Sequence, residues 1–226
     1  MFNKVFFFKK KIGLINSCHI EFEQDSLSNY ENKMKCADKN PSYLLCESQY
    51  MTMYSYPTDV VFAGDSITYR CQWNEMFPEL STKNRGIPSD TTEGMLARLD
   101  SIIKTKPDKV FIMIGINDIS LQVEERTILD NYSYILDAMA AHTDIKIYVQ
   151  SILPVAPNSG ISKEEILRIN HAIQEVCMEK GIEYIDLYDL FSDDSGWLKG
   201  QYNGDGVHIN AKGYECWRNS IETYVY

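Results

Sequence analysis

From Asp59 to the C-terminus, short apolar runs alternate with longer stretches whose apolar residues recur at helical spacing. Strands are predicted at 60–63, 82–85, 110–114, 145–152 and 184–187. Between them, 91–104 places Met95, Leu96, Leu99, Ile102 and Ile103 on one helical face, and 125–141 does the same with Ile128, Leu129, Ile135, Leu136 and Met139. Ser162-Lys163-Glu164-Glu165 is a capping-box start for a helix that runs to about Lys180, where Gly181 closes it. A last helix follows Asn210, with Tyr214, Trp217 and Ile221 facing inward. Upstream, Pro41 to about Tyr54 reads as a helix with Pro41 in its first turn and Leu44, Leu45 and Tyr50 as its apolar side; Pro57 ends that element. Residues 1–40 are mixed in charge and lack sustained periodicity, so they predict a loosely ordered extension ahead of a single domain, 41–226.

Strands alternating with amphipathic helices are the pattern of a parallel sheet covered on both faces, a three-layer α/β/α fold. Five such strands fit a flavodoxin-like order, 2-1-3-4-5, in which strand 1 lies between strands 2 and 3. Open sheets of this class do their chemistry at the carboxyl edge of the strands. At that edge, Val60-Val61-Phe62-Ala63 breaks into Gly64-Asp65-Ser66-Ile67-Thr68, a small turn that presents a serine hydroxyl. Three later segments lie at or beyond the ends of their own apolar runs: Asn84-Arg85-Gly86-Ile87, Ile114-Gly115-Ile116-Asn117-Asp118 and Asp205-Gly206-Val207-His208. Ser66, Gly86 and Asn117 end three neighbouring strands, and His208 follows strand 5 on enough chain to fold back over the same edge.

A serine hydroxyl is a weak nucleophile unless a base takes its proton and donors stabilise the oxyanion that forms. Of the four histidines, His208 alone sits in a loop rich in Gly and Asp rather than in a predicted helix, a strand or the N-terminal extension. Asp205, three residues earlier, can hold one imidazole nitrogen and leave the other free for the serine proton. The N–H groups of Ser66 and Gly86 and the side-chain amide of Asn117 are the expected oxyanion donors. Each position also has a plainer role: Ser66 as a helix cap, Gly86 as a turn glycine, Asn117 as a turn former. Asp65 and Asp118 are expected to brace their loops through backbone N–H groups, and Trp73 to line an acyl pocket or pack in the core. His19, His142 and His171 read as surface or packing residues.

Composition narrows the partners. The 226 residues are 44% hydrophobic and 24% charged, with a net charge of -10, a sign that disfavours nucleic acid and anionic membrane surfaces. The six cysteines, Cys18, Cys36, Cys46, Cys71, Cys177 and Cys216, form no Cys-x-x-Cys pair and no zinc spacing, as expected of scattered thiols in a reducing compartment. Val5-Phe6-Phe7-Phe8 is cut off by Lys9-Lys10-Lys11, shorter than the roughly 7–15 apolar residues of a signal peptide core. Nothing downstream is long enough to span a bilayer, so the expectation is a cytoplasmic protein with no stable membrane insertion.

With these motifs in place, the sequence resembles the SGNH, or GDSL-type, esterases and lipases, whose four blocks match Ser66, Gly86, Asn117 and His208, with Asp205 matching the triad acid through its Asp-x-x-His spacing. The resemblance runs from about Asp59 to the C-terminus. Asn84-Arg85-Gly86-Ile87 followed by Asp90-Thr91-Thr92-Glu93-Gly94 is similar to the bacterial branch related to platelet-activating factor acetylhydrolase subunits. Ile67 stands where the GDSL name has leucine, an apolar exchange. The resemblance implies a flavodoxin-like three-layer fold and metal-free, cofactor-free hydrolysis of a small ester, with short acyl groups favoured. A homodimer is left open. Two rival functions are a metal-dependent phosphohydrolase using Asp65, Asp118 and Asp205, and a non-catalytic binding module on the same fold. The first lacks the Asp-x-Asp after strand 1, since Ser66-Ile67 follows Asp65.

Overall fold

A computed structural model describes residues 41–52, 57–142 and 145–226; the extension at 1–40, with His19, Cys18 and Cys36, lies outside the described residues. Five parallel strands form one sheet in the order β2-β1-β3-β4-β5. They are β1 (Thr58–Gly64), β2 (Thr82–Gly86), β3 (Pro107–Met113), β4 (Lys146–Gln150) and β5 (Glu183–Ile185). The order is the expected one, and the three-layer α/β/α arrangement follows from how the strands alternate. Val61, Ala63, Val110, Ile112, Ile147 and Val149 point into one buried cluster. Their neighbours Val60, Phe62, Phe111, Met113 and Tyr148 point into another. Both faces are apolar, as a parallel sheet with helices on each side requires.

The first cluster is closed by α4 (Thr92–Ala97), α5 (Asp100–Ile103), α7 (Glu125–Ala140) and α8 (Lys163–Lys180). The second is closed by α3 (Trp73–Met76), α9 (Tyr188–Phe191) and α10 (Ala211–Val225). Trp73 belongs to this second core: it is buried, its ring lies flat on Phe62 at 3.7 Å between centroids, and its indole N–H donates to the Thr68 carbonyl. Two further one-turn helices, α2 (Ser66–Tyr69) and α6 (Ile116–Ser120), start directly off β1 and β3.

Several element boundaries differ from the sequence expectation for identifiable reasons. The expected helix at 91–104 is split into α4 and α5 at Arg98, whose side chain turns inward to bond Asp90 and the Gly64 carbonyl. The fourth strand ends at Gln150 rather than 152, because Asn170 of α8 takes over the ladder by accepting from the Ile152 N–H and donating to its carbonyl, each at 2.8 Å. On α1 (Pro41–Thr52) the buried residues are Tyr43 and Tyr50; Leu44 and Leu45, expected to face inward, are exposed. The capping-box serine Ser162 accepts from the Glu165 N–H, and Gly181 closes α8 in the left-handed conformation, as expected.

Register places the site. Gly64 sits opposite Gly86 on one side and Met113 on the other, so β2, β1 and β3 finish level with each other. The loops that leave them share one edge.

Candidate active site

Ser66 opens α2. Asp65 caps that helix, its carboxylate accepting the Ile67 N–H at 2.9 Å, so Ser66 occupies the first helical position with its N–H free of any carbonyl four residues back. The far end of α2 is gripped by Asn84, whose amide lies 3.1, 2.9 and 3.0 Å from the carbonyls of Thr68, Tyr69 and Cys71. Tyr214 of α10 donates to the Ile67 carbonyl at 2.7 Å. A one-turn helix has almost no stability of its own. These side-chain bonds fix the direction of the Ser66 hydroxyl.

That hydroxyl lies 2.8 Å from Nε2 of His208, and Nδ1 of His208 lies 2.7 Å from Oδ2 of Asp205. The other oxygen of Asp205 accepts the backbone N–H groups of His208 at 2.9 Å and Val207 at 3.2 Å. Those bonds, the one from the His208 N–H first, hold the Asp205 carboxyl down to about 2 despite some burial, so it stays an acceptor. The loop is braced from outside: Asn203 accepts the Gly206 N–H, the Gly206 carbonyl accepts from Ala156, and Asn210 donates to Gln201 and Asn203. The structure therefore joins the three residues into a Ser-His-Asp chain across 142 residues of sequence.

Of the three N–H donors expected on the oxyanion side, that of Gly86 is bonded elsewhere. Asn117, on α6, donates one amide hydrogen to the Asp90 carbonyl at 2.8 Å, which orients the amide and leaves its second hydrogen available. Gly86 does not supply the expected donor. In β2 the Ile87 N–H bonds inward to the Gly64 carbonyl, so the Gly86 N–H points to the open edge, where Asn84 Oδ1 accepts it at 2.8 Å. Gly86 is required for another reason: a Cβ there would lie against the backbone of α2, nearest the Tyr69 N, 2.6 Å from the Tyr69 Cα and 2.8 Å from the Asp65 carbonyl oxygen. The turn just beyond offers the missing N–H. Ile87 to Asp90 is closed by an Asp90 N–H to Ile87 carbonyl bond, with Pro88 second and Ser89 third at φ 61, the form of a type II turn. Ser89 is exposed and its N–H has no partner among the described residues.

Beneath this loop lies a buried ion pair. Arg98 binds Asp90 through Nε at 2.8 Å and NH2 at 2.7 Å, and the same NH2 reaches the Gly64 carbonyl at 3.2 Å. One guanidinium thus ties the residue before Asp65-Ser66 to the residue after Ser89. Asp118 is bonded separately, accepting the Thr92 hydroxyl at 2.6 Å and the Thr92 N–H at 3.0 Å. Burial pushes the Asp65 carboxyl up to about 7 and Asp118 up to about 6. Asp65, Asp118 and Asp205 are each committed to a different loop, and among the described residues no group of three or more His, Cys, Asp or Glu could hold a metal ion. His171 is an exposed partner of Glu175 on α8, and His142 lies just past α7. The cysteines within the described residues, Cys46, Cys71, Cys177 and Cys216, are free thiols. Among the described residues no helix is long and apolar enough to cross a membrane.

Asn84, Ser89 and Arg98 were not singled out by residue chemistry, although Asn84 and Arg85 stood inside a motif. The signals that could have found Ser89 and Arg98 are the Pro88-Ser89 turn and an arginine among the apolar residues at 95–103; nothing else in the local sequence marked Asn84.

In sequence and in fold the chain is similar to known proteins. The family model of GDSL-like lipases and acylhydrolases matches residues 62–216. The platelet-activating factor acetylhydrolase IB subunit alpha2 of Rattus norvegicus is 26% identical over 165 residues, 69% of this chain and 71% of that protein. Among solved structures, a Streptococcus pneumonia protein named provisionally as a platelet activating factor is 27% identical, with a TM-score of 0.78 over 91% of this chain and 100% of the other. A GDSL-like lipase from Bacteroides thetaiotaomicron superposes with a TM-score of 0.70, covering 79% of this chain and 96% of its own at 24% identity, a likeness of fold.

Proposed function

The chain belongs to the GDSL-like lipase/acylhydrolase family, and from that premise we propose that it is a serine esterase that cleaves short acyl esters through an acyl-enzyme. The observation that carries the reading is the continuous hydrogen-bonded chain from Ser66 through His208 to Asp205, at 2.8 and 2.7 Å. Ser66 Oγ attacks the ester carbonyl as its proton passes to His208 Nε2, and Asp205 steadies the imidazolium that forms. The tetrahedral oxyanion is held by the Ser66 N–H, the free amide hydrogen of Asn117 and the N–H of Ser89. The bond to the alcohol oxygen then breaks, and His208 returns the proton to that oxygen. Water, deprotonated by the same imidazole, attacks the acyl-enzyme and releases the carboxylic acid and Ser66.

Small acyl groups on a polar alcohol fit the rim, where Tyr69, Arg70, Ser89 and Asp205 are all exposed. Arg70 pairs with Asp205 at 3.7 Å, longer than a hydrogen bond, and both side chains are about half exposed. The matched acetylhydrolase relative is named for removing an acetyl group. The test is hydrolysis of aryl esters of graded chain length, with acetylated carbohydrates beside them. Acetyl and butyryl esters are expected to be cleaved far faster than acyl chains of about ten carbons, since each added CH₂ gains only where ~0.8 kcal/mol of apolar burial is on offer. No turnover of any ester by folded protein would refute the proposal.

A further inference from the structure

The segment that carries Ser89, Asp90 and Thr92 is bracketed by two glycines, and both are held by the same helix. Tyr50 donates its hydroxyl to the Gly86 carbonyl at 2.7 Å, and Tyr43 donates to the Gly94 carbonyl at 2.8 Å. Both bonds are buried. The two tyrosines lie about two helical turns apart on α1, hence on one face. Ile87, the first residue of the loop, packs between them in a small apolar cluster with Cys46 at its margin. The Arg85 guanidinium stacks over the Tyr50 ring at 4.5 Å. Yet α1 ends before residue 62, where the family match begins.

We propose that α1 is a clamp on the oxyanion loop, with Tyr43 and Tyr50 as positioning residues for ester hydrolysis. The inference rests on the esterase reading above. Its physical content is a chain of bonds. The Asp90 carbonyl orients Asn117, the Asp90 N–H closes the turn that presents Ser89, and the Thr92 N–H and hydroxyl hold Asp118. All of these lie between Gly86 and Gly94, so a shift of either end moves two of the three oxyanion donors relative to Ser66. Carbonyls gripped by hydroxyls from a neighbouring helix fix both ends. A helix that only covered the apolar surface of Ile87 would need the tyrosine rings but not their hydroxyls.

The experiment is therefore to remove hydroxyls and keep rings. Tyr43→Phe, Tyr50→Phe and the double variant are compared with Tyr188→Phe, which deletes an equivalent bond to the Gly196 carbonyl (2.7 Å) away from the site. The readouts are kcat and KM on an aryl acetate, the thermal midpoint, and amide hydrogen exchange at Asp90 and Thr92. The clamp predicts a kcat lower by roughly three- to tenfold in each single variant and more in the double, with KM nearly unchanged, because a sub-ångström shift of donors weakens transition-state binding more than substrate binding. It also predicts faster exchange at Asp90 and Thr92 in these variants, and an unchanged kcat in Tyr188→Phe. Should the double variant fail to fold, Tyr50→Phe alone carries the test. An active wild type whose folded Tyr43→Phe and Tyr50→Phe variants lose stability but keep kcat within twofold overturns the clamp alone. A folded wild type that cleaves no ester overturns the esterase reading and the clamp with it.

Discussion

Replacing Gly86 by alanine separates its two roles. A methyl group at this position would meet the Tyr69 Cα at 2.6 Å and the Asp65 carbonyl oxygen at 2.8 Å, where ordinary contact is 3.4–4 Å. Both neighbours are backbone of the turn that carries Ser66, so no flexible side chain can move aside. Relief requires α2 to retreat by about 1 Å, and displacements of that size cost on the order of 10²-fold in rate. Overpacking of this kind also destabilises by about 1–3 kcal/mol, which in a protein of this length lowers the melting temperature by roughly 2–4 °C per kcal/mol. The alanine variant keeps its backbone N–H, which remains bonded to Asn84. The assay is kcat and KM on an aryl acetate at a temperature well below the variant's own unfolding transition, with circular dichroism confirming the fold. The expected kcat is lower by about a hundredfold, with KM changed far less. A folded Gly86→Ala enzyme with kcat within threefold of wild type would refute the claim that Gly86 sets the position of the nucleophile helix.

Three further outcomes follow from the same geometry. Asn117→Ala removes one oxyanion donor and should lower kcat by roughly 10²–10³ with KM little changed; a pure KM effect would make Asn117 a substrate-binding residue. Asp205→Asn can still accept the His208 and Val207 N–H groups but holds the wrong imidazole tautomer, so kcat should fall by up to about 10⁴ in steady-state assays; a fall of less than tenfold would remove Asp205 from the triad. The third concerns pH and stability. Burial raises the folded Asp65 carboxyl to about 7 and Asp118 to about 6, while in the unfolded chain both titrate near ~3.9. Between those values the folded protein keeps protons that the unfolded chain has released, so these two groups make stability decline as pH rises from about 4 to about 7. Asp205 acts in the opposite sense, losing its contribution as pH falls toward about 2, and its exposure keeps that contribution small. Asp65→Asn retains an oxygen for the Ile67 N–H and should make the decline in urea midpoints between pH 4.5 and 8 shallower, the rest being left to Asp118 and Asp90; an unchanged slope would exclude Asp65 as a contributor.

The inner strands β1, β3 and β4 were legible in the sequence because they are largely buried and read as apolar runs, whereas the edge strand β2, Thr82–Gly86, has no apolar run and was placed by the helices on either side of it. What the pattern missed were tertiary exchanges that leave no periodic trace. Asn170 replaces a strand partner for Ile152, and Arg98 breaks a helix to reach Asp90 and Gly64. The amphipathic reading of α1 favoured leucines over tyrosines, because residue type says nothing of the carbonyls waiting at Gly86 and Gly94 for a hydroxyl. At the site, Ser66, Asp205 and His208 could be named because nucleophile, base and orienting acid are chemically distinctive side chains. Two of the proposed oxyanion donors are backbone N–H groups, which every residue but proline has, and only the fold shows that the Gly86 N–H is bonded to Asn84 while that of Ser89 has no partner among the described residues.

The esterase proposal stands on Ser66 as the nucleophile, activated by His208 and Asp205. A fluorophosphonate probe, followed by intact mass and peptide mapping, tests it most directly, because stable phosphonylation needs an activated serine and does not depend on knowing the substrate. One adduct per chain is expected, located on Ser66, absent from Ser66→Ala and strongly slowed in a His208 variant that folds normally. An adduct on another residue, or no adduct on folded wild-type protein, would contradict it.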